Sequence, residues 1–295
     1  MPGKPGGSIK RTKKRNPGSK RKSLLPLSRM SDTSDMLFRI RTVKAAPFRT
    51  LMEAIKDILT DANLEFDSTG LKVVAMDGTH TILVHLRLRA DRFDEYHCPQ
   101  KHILGINMIN FFKLVKTMSN NESIVLYMRK SDTTKLGIEI LNGEKQMVTH
   151  FHLNLIELDI RPIEIPPVQF SSIITMPSVD FQKIIRDMHT LGEVVEIQSA
   201  AQELVFRCKG DYAEQETIFS IGQNGLSQTK SVHDIVQGNF FLKHLVLFTK
   251  CTSLCSDISV YLKNDYPIIV EYNVAGLGEI KLALAPALTK PAGES

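Results

Sequence analysis

The sequence predicts an α+β protein with two similar domains, each of which combines two short helices with several antiparallel strands. Two halves of the chain repeat at an offset near 133 residues, so that Phe48 and Phe181 occupy matching places in two helical patterns. Alternating runs rich in Val, Ile, Thr and Leu, which favour strands, separate the helical patterns. The 295 residues are 42% hydrophobic, which supplies a core for both domains.

The first 35 residues differ in composition from the rest of the chain. They carry ten Lys or Arg and two Asp, a balance of +8, whereas the whole chain is +5 and the remainder is therefore −3. Pro, Gly and Ser are frequent there and few residues could form a core, which predicts a disordered basic extension. Its clusters Lys13-Lys14-Arg15 and Lys20-Arg21-Lys22 fit a nuclear address or a loose phosphate-binding arm. A solvated tail without a specific partner is the third interpretation.

The helices are predicted in two matching pairs. Apolar residues recur at helical spacing after Pro47 in the first half and after Pro177 in the second. A second pattern spans residues 111–118 in the first half and 240–251 in the second, and each is followed by a strand pattern. The predicted strands include residues 71–75, 81–88, 124–128, 194–198, 217–221, 258–262 and 268–274.

An extended connector is predicted between the two halves. Residues 153–170 contain three prolines, which cannot donate to a strand ladder. The predicted organisation is a basic extension at 1–35, a first domain at 36–152, the connector at 153–170, a second domain at 171–288 and a C-terminal tail at 289–295.

Each predicted helix carries basic side chains on the face opposite its apolar stripe. On one helix an ordinary solvated face would be the better interpretation, but four helices of one sign on an acidic body favour a surface that faces a polyanion. The side chains are Arg49, Lys56, Lys113, Lys116, Lys183, Arg186, Lys243 and Lys250. Such residues neutralise phosphates without reading bases. The lack of Trp and the 7% aromatic content argue against a base-stacking binder of single strands.

Other functional classes find little support in the sequence. None of the nine histidines belongs to a recognisable catalytic motif, and His150 with His152 is better explained as a partly exposed strand pair than as a metal site. The four cysteines are too scattered for a disulfide framework, and no apolar window approaches the ~18 residues of a membrane span. We therefore expect neither an enzyme nor a membrane protein, and we expect no metal or cofactor.

Several blocks in order resemble the proliferating cell nuclear antigen family, the eukaryotic and archaeal DNA sliding clamps, over residues 36–288. The most specific are LMEAIKD at 51–57, VAMDGTH at 74–80, MPSVDF at 176–181, LFTK at 247–250 and PIIVEY at 267–272. The resemblance implies a head-to-tail ring, usually a homotrimer, whose helices line a hole for double-stranded DNA. It implies a processivity factor for DNA polymerase, placed on DNA by a clamp loader, that acts in replication and repair in the nucleus or at a viral replication site.

The resemblance also implies where the sites lie. The eight basic side chains would line the hole, and strands at 148–155 and 215–222 would form the contact between subunits. Polymerase and other clients would dock a short peptide in an apolar pocket beneath the connector. Its residues would be Met76, His80, Leu83, Ile156, Leu158, Ile163, Ile165, Pro166, Pro267, Ala285 and Pro286.

Three departures from the family pattern affect these expectations. Ala283 stands where many members have Tyr, which predicts a wider pocket. Ala201 replaces a lysine to which many eukaryotic members attach ubiquitin, so that regulation is in doubt here. The extension before Met36 is absent from the usual pattern and fits either a divergent lineage or a large DNA virus.

Two alternatives stay open on the sequence. A clamp-like processivity factor that binds DNA as an open monomer or dimer would have much the same sequence. So would one subunit of a heteromeric checkpoint-type clamp, which would not form a ring by itself.

Overall fold

The computed structural model describes residues 35–159, 162–200, 202–223, 225–231 and 235–287. The predicted extension up to residue 34, Ala201 and the predicted tail at 289–295 lie outside the described residues. No helix in the described ranges is long and apolar enough to cross a membrane.

The first half of the described chain alternates strands with two α-helices. Its elements are β1 (Met36–Thr42), α1 (Ala45–Lys56), β2 (Asp61–Asp67), β3 (Gly70–Met76), β4 (Ile82–Arg89), a 3-10 turn (Ala90–Arg92), β5 (Glu95–His97), β6 (His102–Asn107), α2 (Met108–Val115), β7 (Ser123–Arg129), β8 (Asp132–Asn142) and β9 (Met147–Asn154).

The second half repeats the order of strand, helix, five strands, helix and three strands. Its elements are β10 (Ser172–Pro177), α3 (Ser178–His189), β11 (Val194–Ala200), β12 (Glu203–Lys209), β13 (Glu214–Ser220), β14 (Ser227–Ser231), β15 (Val236–Phe241), α4 (Leu242–Phe248), a 3-10 helix (Thr249–Leu254), β16 (Asp257–Leu262), β17 (Ile268–Asn273) and β18 (Gly278–Leu284). The fold is therefore α+β with two similar domains, as predicted.

The strands form three antiparallel sheets whose orders repeat between the domains. The sheets run β5-β1-β7-β8-β9, then β14-β10-β16-β17-β18-β4-β3-β2-β6, then β13-β12-β11-β15. In the nine-stranded sheet, β18 of the second domain pairs with β4 of the first, from Gly278 opposite Leu88 to Leu284 opposite Ile82. This pairing, which we call the internal junction, joins the domains into one sheet.

The equivalents of the two junction strands lie at sheet edges. The order β4-β3-β2-β6 matches β13-β12-β11-β15, and β1-β7-β8-β9 matches β10-β16-β17-β18. By this match β13 is the equivalent of β4, and β9 is the equivalent of β18. Within the described chain, both β13 and β9 have a strand on one side only.

The helices bury their apolar stripes against the sheets. In α1 the buried residues include Phe48 and Leu51, and in α3 they include Phe181 and Ile184. Helix α1 begins two residues before Pro47, because a proline in the first turn lacks only an N–H group that would have no helical partner anyway. Helix α1 packs against α2 and the 3-10 helix, and α3 packs against α4 and the same 3-10 helix. The four helices and the 3-10 helix thus form one continuous layer, which we call the helix layer.

Candidate functional site

All eight basic side chains predicted to face a polyanion lie in the helix layer or at its helix ends. Six of them are exposed, and the side chains of Arg49 and Lys56 are half-buried. A groove between α1, α3 and the 3-10 helix is lined by Glu53, Arg186 and Lys250, among others. The helix layer therefore brings basic side chains of both domains together. Helical spacing predicted these side chains on each helix separately.

Two of the basic residues are held by one carboxylate at the boundary between the domains. Asp57, just after α1, accepts a hydrogen bond from Lys56 Nζ at 2.7 Å and pairs with Lys250 of the second domain. Burial by itself would raise the pKa of Asp57, but the hydrogen bonds and charges of Lys250 and Lys56 outweigh it, and the pKa lies below its ordinary value. Lys56 also lies over the ring of Phe112, 4.9 Å from its centroid. Part of the positive charge here is thus neutralised within the chain.

Arg49 is also partly occupied. Its guanidinium donates to the carbonyl of Met118 and, at 2.9 Å, to Oδ1 of Asn120, both in the loop after α2. These hydrogen bonds fix the orientation of the guanidinium and leave fewer of its five donors for an external anion.

The remaining charge of the helix layer is mixed. The side chains of Lys116, Lys183 and Arg186 form no hydrogen bond or ion pair with any described residue, so their charges are available to an external partner. Exposed carboxylates at Glu53 and Asp187 share the layer. The outer face of the helix layer therefore carries acidic as well as basic side chains.

The predicted peptide pocket lies on the outer face of the nine-stranded sheet, opposite the helices. Met76 of β3 pairs with Leu83 of β4, Leu83 pairs with Ala283 of β18, and Ala283 pairs with Ile269 of β17. Alternation along a strand places these four side chains on the solvent face, where Met76 is 37% exposed. They form a row of small and aliphatic side chains, which we call the apolar row. Sequence reasoning missed Ile269, although the alternation of β17 would have placed it there.

A turn closes one end of the apolar row. Oδ1 of Asp77 accepts hydrogen bonds from the backbone N–H groups of Thr81 and Ile82, both at 2.7 Å, and Oδ2 accepts from Thr79. Burial alone would raise the pKa of Asp77, but these hydrogen bonds hold it below its ordinary value. His80 has a positive φ of 55° in this turn.

Three further predicted pocket residues lie at the same end of the sheet. The N–H of Ala285 donates to the carbonyl of Thr81 at 3.0 Å, and Pro286 follows it. Pro267 directly precedes Ile268, which pairs with Leu284. Met76, His80, Leu83, Pro267, Ala285 and Pro286 therefore lie at one end of the same sheet.

The connector residues are placed differently. Ile156 forms an isolated bridge with Gly105 of β6, and the side chain of Leu158 lies beside the same glycine. Strand β2 separates β6 from β3, so this part of the connector lies along the sheet edge rather than on the apolar row. Farther along, Ile163 is half-buried, and Ile165 and Pro166 are exposed.

The two predicted subunit edges correspond to β9 and β13. Apolar side chains are exposed on both strands: Val148 is 38% exposed on β9 and Ile218 is 52% exposed on β13. Unpaired sheet edges with exposed apolar residues invite pairing with another chain.

Comparison with known proteins agrees with this architecture. A sequence model of the N-terminal domain of proliferating cell nuclear antigen matches residues 37–162, and one of its C-terminal domain matches residues 164–287. A probable DNA polymerase sliding clamp of Paramecium bursaria Chlorella virus 1 is 36% identical over 262 residues, which cover 88% of this chain and all of that protein. The crystal structure of proliferating cellular nuclear antigen from Entamoeba histolytica superposes with a TM-score of 0.78 at 28% identity, covering 86% of this chain and 100% of the other. Two matched domains, their order along the chain and the shared fold lead to one conclusion: this chain belongs to the proliferating cell nuclear antigen family, the DNA sliding clamps.

Proposed function

We propose that this sliding clamp closes into a homotrimeric ring around double-stranded DNA and tethers DNA polymerase and other clients to it, without catalysing a reaction itself. The helix layer faces the DNA, β9 and β13 join neighbouring copies, and the apolar row receives a client peptide. The setting is the nucleus or a viral replication site, where a clamp loader opens the ring.

The proposed ring is supported by two strands at sheet edges that are equivalent to the two strands of the internal junction. Each chain uses β4 and β18 for its internal junction, while the equivalents β13 and β9 lie at sheet edges. If β9 of one copy pairs with β13 of the next as β18 pairs with β4, the contact is head-to-tail and closes when the rotation fits. Every domain of the ring then has the same neighbours, and the two edges of each chain are covered.

The DNA contact is proposed to involve phosphates and no bases. The side chains of Lys116, Lys183 and Arg186 have no partner among the described residues, and they project from the end of α2 and from α3. Lysine and arginine contacts of this kind bind any sequence, weaken steeply with salt and permit sliding.

The client contact is proposed to combine the apolar row with the connector. The row supplies a shallow aliphatic surface that suits one or two anchor side chains of a peptide. The connector residues Ile163, Ile165 and Pro166 would then close over the bound peptide, since they are accessible in the free chain.

Retention on closed and open DNA tests the encirclement. The purified chain is loaded onto nicked circular DNA and onto the same DNA made linear, and both are washed at moderate salt. We expect retention on the circle and loss from the free ends. The control variant Val148→Glu with Ile218→Glu places carboxylates on both edges without touching the core, and should be lost from both DNAs.

The same measurement separates the two alternatives. Equal loss of the wild-type chain from circles and linear DNA, with a monomer or dimer by light scattering, would establish the open processivity factor. A chain that stays monomeric by itself and forms a ring only with other subunits would be part of a heteromeric clamp.

A further inference from the structure

We propose that His150 and His152 of one copy pair with Glu216 and Glu214 of the next, so that the contact between copies tightens as the histidines become protonated. This inference rests on the proposed ring, and it adds to it a charge-paired outer face whose strength depends on pH. It follows from carrying the register of the internal junction over to β9 and β13.

The position of β9 is fixed by its match to β18. Val125 of β7 matches Ser259 of β16, 134 residues further on. Val125 lies opposite Glu139 and Ser259 lies opposite Glu271, so Glu139 of β8 is the equivalent of Glu271 of β17. Glu139 lies opposite His150, and Glu271 lies opposite Lys281. His150 is therefore the equivalent of Lys281.

The position of β13 is fixed in the same way by its match to β4. Phe66 of β2 matches Ser199 of β11; Phe66 lies opposite Leu71 and Ser199 lies opposite Leu204. Three residues beyond these leucines, Arg207 of β12 is the equivalent of Val74 of β3. Arg207 lies opposite Glu216, and Val74 lies opposite His85. Glu216 is therefore the equivalent of His85.

The register of the internal junction then determines the contact between copies. Lys281 lies opposite His85 in that junction. The same register puts His150 of one copy opposite Glu216 of the next. Two residues farther along each strand, on the same face, His152 of one copy lies opposite Glu214 of the next.

The first pair completes a row of alternating charge across five strands. Within one copy, Nδ1 of His150 lies 3.3 Å from Oε1 of Glu139. Within the next, Glu216 accepts from Nε of Arg207 at 2.6 Å, and the same guanidinium reaches Glu196 at 2.8 Å. A protonated His150 would lie between two carboxylates, one from each copy.

The second pair, His152 with Glu214, has different neighbours. The hydroxyl of Tyr127 lies 3.5 Å from Nε2 of His152, because its ring packs over Gly137. The guanidinium of Arg129 lies over that ring, 5.6 Å from its centroid. In the next copy, Glu214 pairs with Nζ of Lys209 at 2.6 Å.

An independent feature agrees with this register. It places Val148 of one copy opposite Ile218 of the next, and these two apolar side chains are 38% and 52% exposed in the free chain. Each would cover part of the other in the contact. A register shifted by one residue would instead place Val148 opposite a residue of the other face.

The internal junction has no histidine–carboxylate pair at the equivalent place. Lys281 occupies there the place of His150, and its Nζ lies 3.3 Å from Glu271. Burial lowers the pKa of His85 opposite it, and the charges of Lys281, Lys72 and Arg87 lower it further. Lysine keeps its charge near neutrality, whereas histidine side chains in general change charge between about pH 5 and 8. Acidification therefore adds no attractive histidine–carboxylate pair at this place in the internal junction, in contrast to the contact between copies.

The sign of the dependence follows from the charges. Protonated imidazole attracts Glu216 and Glu214, so the contact is strongest at low pH and weakens as pH rises. Each exposed pair of this kind has a modest effect, and two pairs at a contact correspond to an association constant on the order of tenfold larger at pH 5.5 than at pH 8.

Sedimentation of the full chain between pH 5.5 and 8 tests the proposal. We expect the association constant of the wild-type contact to be on the order of tenfold smaller at pH 8 than at pH 5.5. In His150→Gln with His152→Gln, and in Glu214→Gln with Glu216→Gln, this dependence should disappear, and combining both pairs should add nothing further. His97→Gln, an exposed histidine on β5, serves as the matched control and should keep the wild-type response.

The outcomes separate this inference from the ring itself. A ring whose stability with pH is the same in the wild type and the double-histidine variant would overturn the histidine pairing and leave the ring standing. A wild-type chain that forms no assembly at any pH would contradict the proposed function, and this inference with it.

Discussion

Equivalent core positions of the two domains are filled by different chemistry. In the first domain Phe38 and Phe66 stack with ring centroids 4.5 Å apart. By the strand match their equivalents are Ser172 and Ser199, whose hydroxyls lie 2.9 Å apart and accept from Gln228 at 3.1 and 3.3 Å. A buried aromatic pair has thus been replaced by a small hydrogen-bonded cluster without a change of fold.

The serine cluster should behave as a unit. Ser199→Ala leaves Ser172 and Gln228 short of a partner, and we expect it to lower the free energy of unfolding by about 1–3 kcal/mol in urea denaturation. Ser172→Ala with Ser199→Ala should cost less than the sum of the single variants. Strict additivity would show that the hydroxyls do not interact.

Tyr272 differs from the serine cluster, whose hydroxyl groups are hydrogen-bonded. Its side chain is fully buried, and its hydroxyl has no hydrogen-bond partner among the described residues. We expect Tyr272→Phe to leave the free energy of unfolding unchanged or to raise it by up to about 1 kcal/mol, because no bond is lost and a buried polar group is removed. A loss of more than that in urea denaturation would mean that the hydroxyl is satisfied.

If the helix layer faces DNA as proposed, the carboxylate of Asp57 competes with DNA for Lys56 and Lys250. Asp57→Asn should release Lys56 and Lys250, tighten binding to duplex DNA and steepen its salt dependence by about one unit of log K against log salt. Fluorescence anisotropy at several salt concentrations measures both quantities. Asp132→Asn makes the same change of charge on β8, away from the helices, and should leave the slope unaltered.

Asp57 also contributes to the acid sensitivity of the fold. Its pKa is lowered in the folded chain, so its stabilisation is present above the ordinary Asp pKa and is lost as pH falls through the folded value. Urea denaturation between pH 3 and 7 should therefore show a smaller loss of stability on acidification in Asp57→Asn than in the wild type. Equal losses would exclude a contribution from this ion pair.

Among the secondary-structure elements, the connector is proposed to close over a peptide bound at the apolar row, and the turn at 77–82 closes one end of that row. Ile163→Ser with Ile165→Ser should abolish binding of a client peptide while retention on circular DNA persists, because neither residue lies in the helix layer or at the β9 and β13 edges. Calorimetric titration with a peptide that carries aliphatic and aromatic anchors measures the loss. Wild-type affinity in this variant would remove the connector from the docking site.

The helices and several strands were predictable because the spacing of apolar residues within each one is visible in a short stretch of sequence. The 3.6-residue period identified α1 and α3 and the basic face of each helix. Alternation identified β3, β4 and β17 but gave only the two faces of each strand, not its partners. The ion pair of Asp57 with Lys250 could not be predicted, since it joins residues 193 apart in the chain. Residues 153–170 were predicted only as extended, because prolines show where pairing is lost and not where the chain lies.

In the proposed ring, the register between copies decides whether the repeat closes. The internal junction pairs Ile280 with Leu86, and the same register puts Thr149 of one copy directly opposite Thr217 of the next. Side chains directly opposite in an antiparallel pair have Cβ atoms about 4.5–5.5 Å apart, close enough for a disulfide after a small adjustment.

Thr149→Cys with Thr217→Cys in one chain should therefore cross-link into a closed covalent trimer on mild oxidation, seen as a single three-chain band on a non-reducing gel. The native thiols will not compete strongly, because burial raises the pKa of all four: to about 12 for Cys251, to about 11 for Cys98, and above the ordinary value for Cys208 and Cys255. Thr149→Cys with Ile218→Cys, whose second cysteine points to the other face, should cross-link poorly. A ladder that extends beyond three chains would show an open head-to-tail polymer, because only a ring uses every β9 and β13 edge at a fixed number of copies.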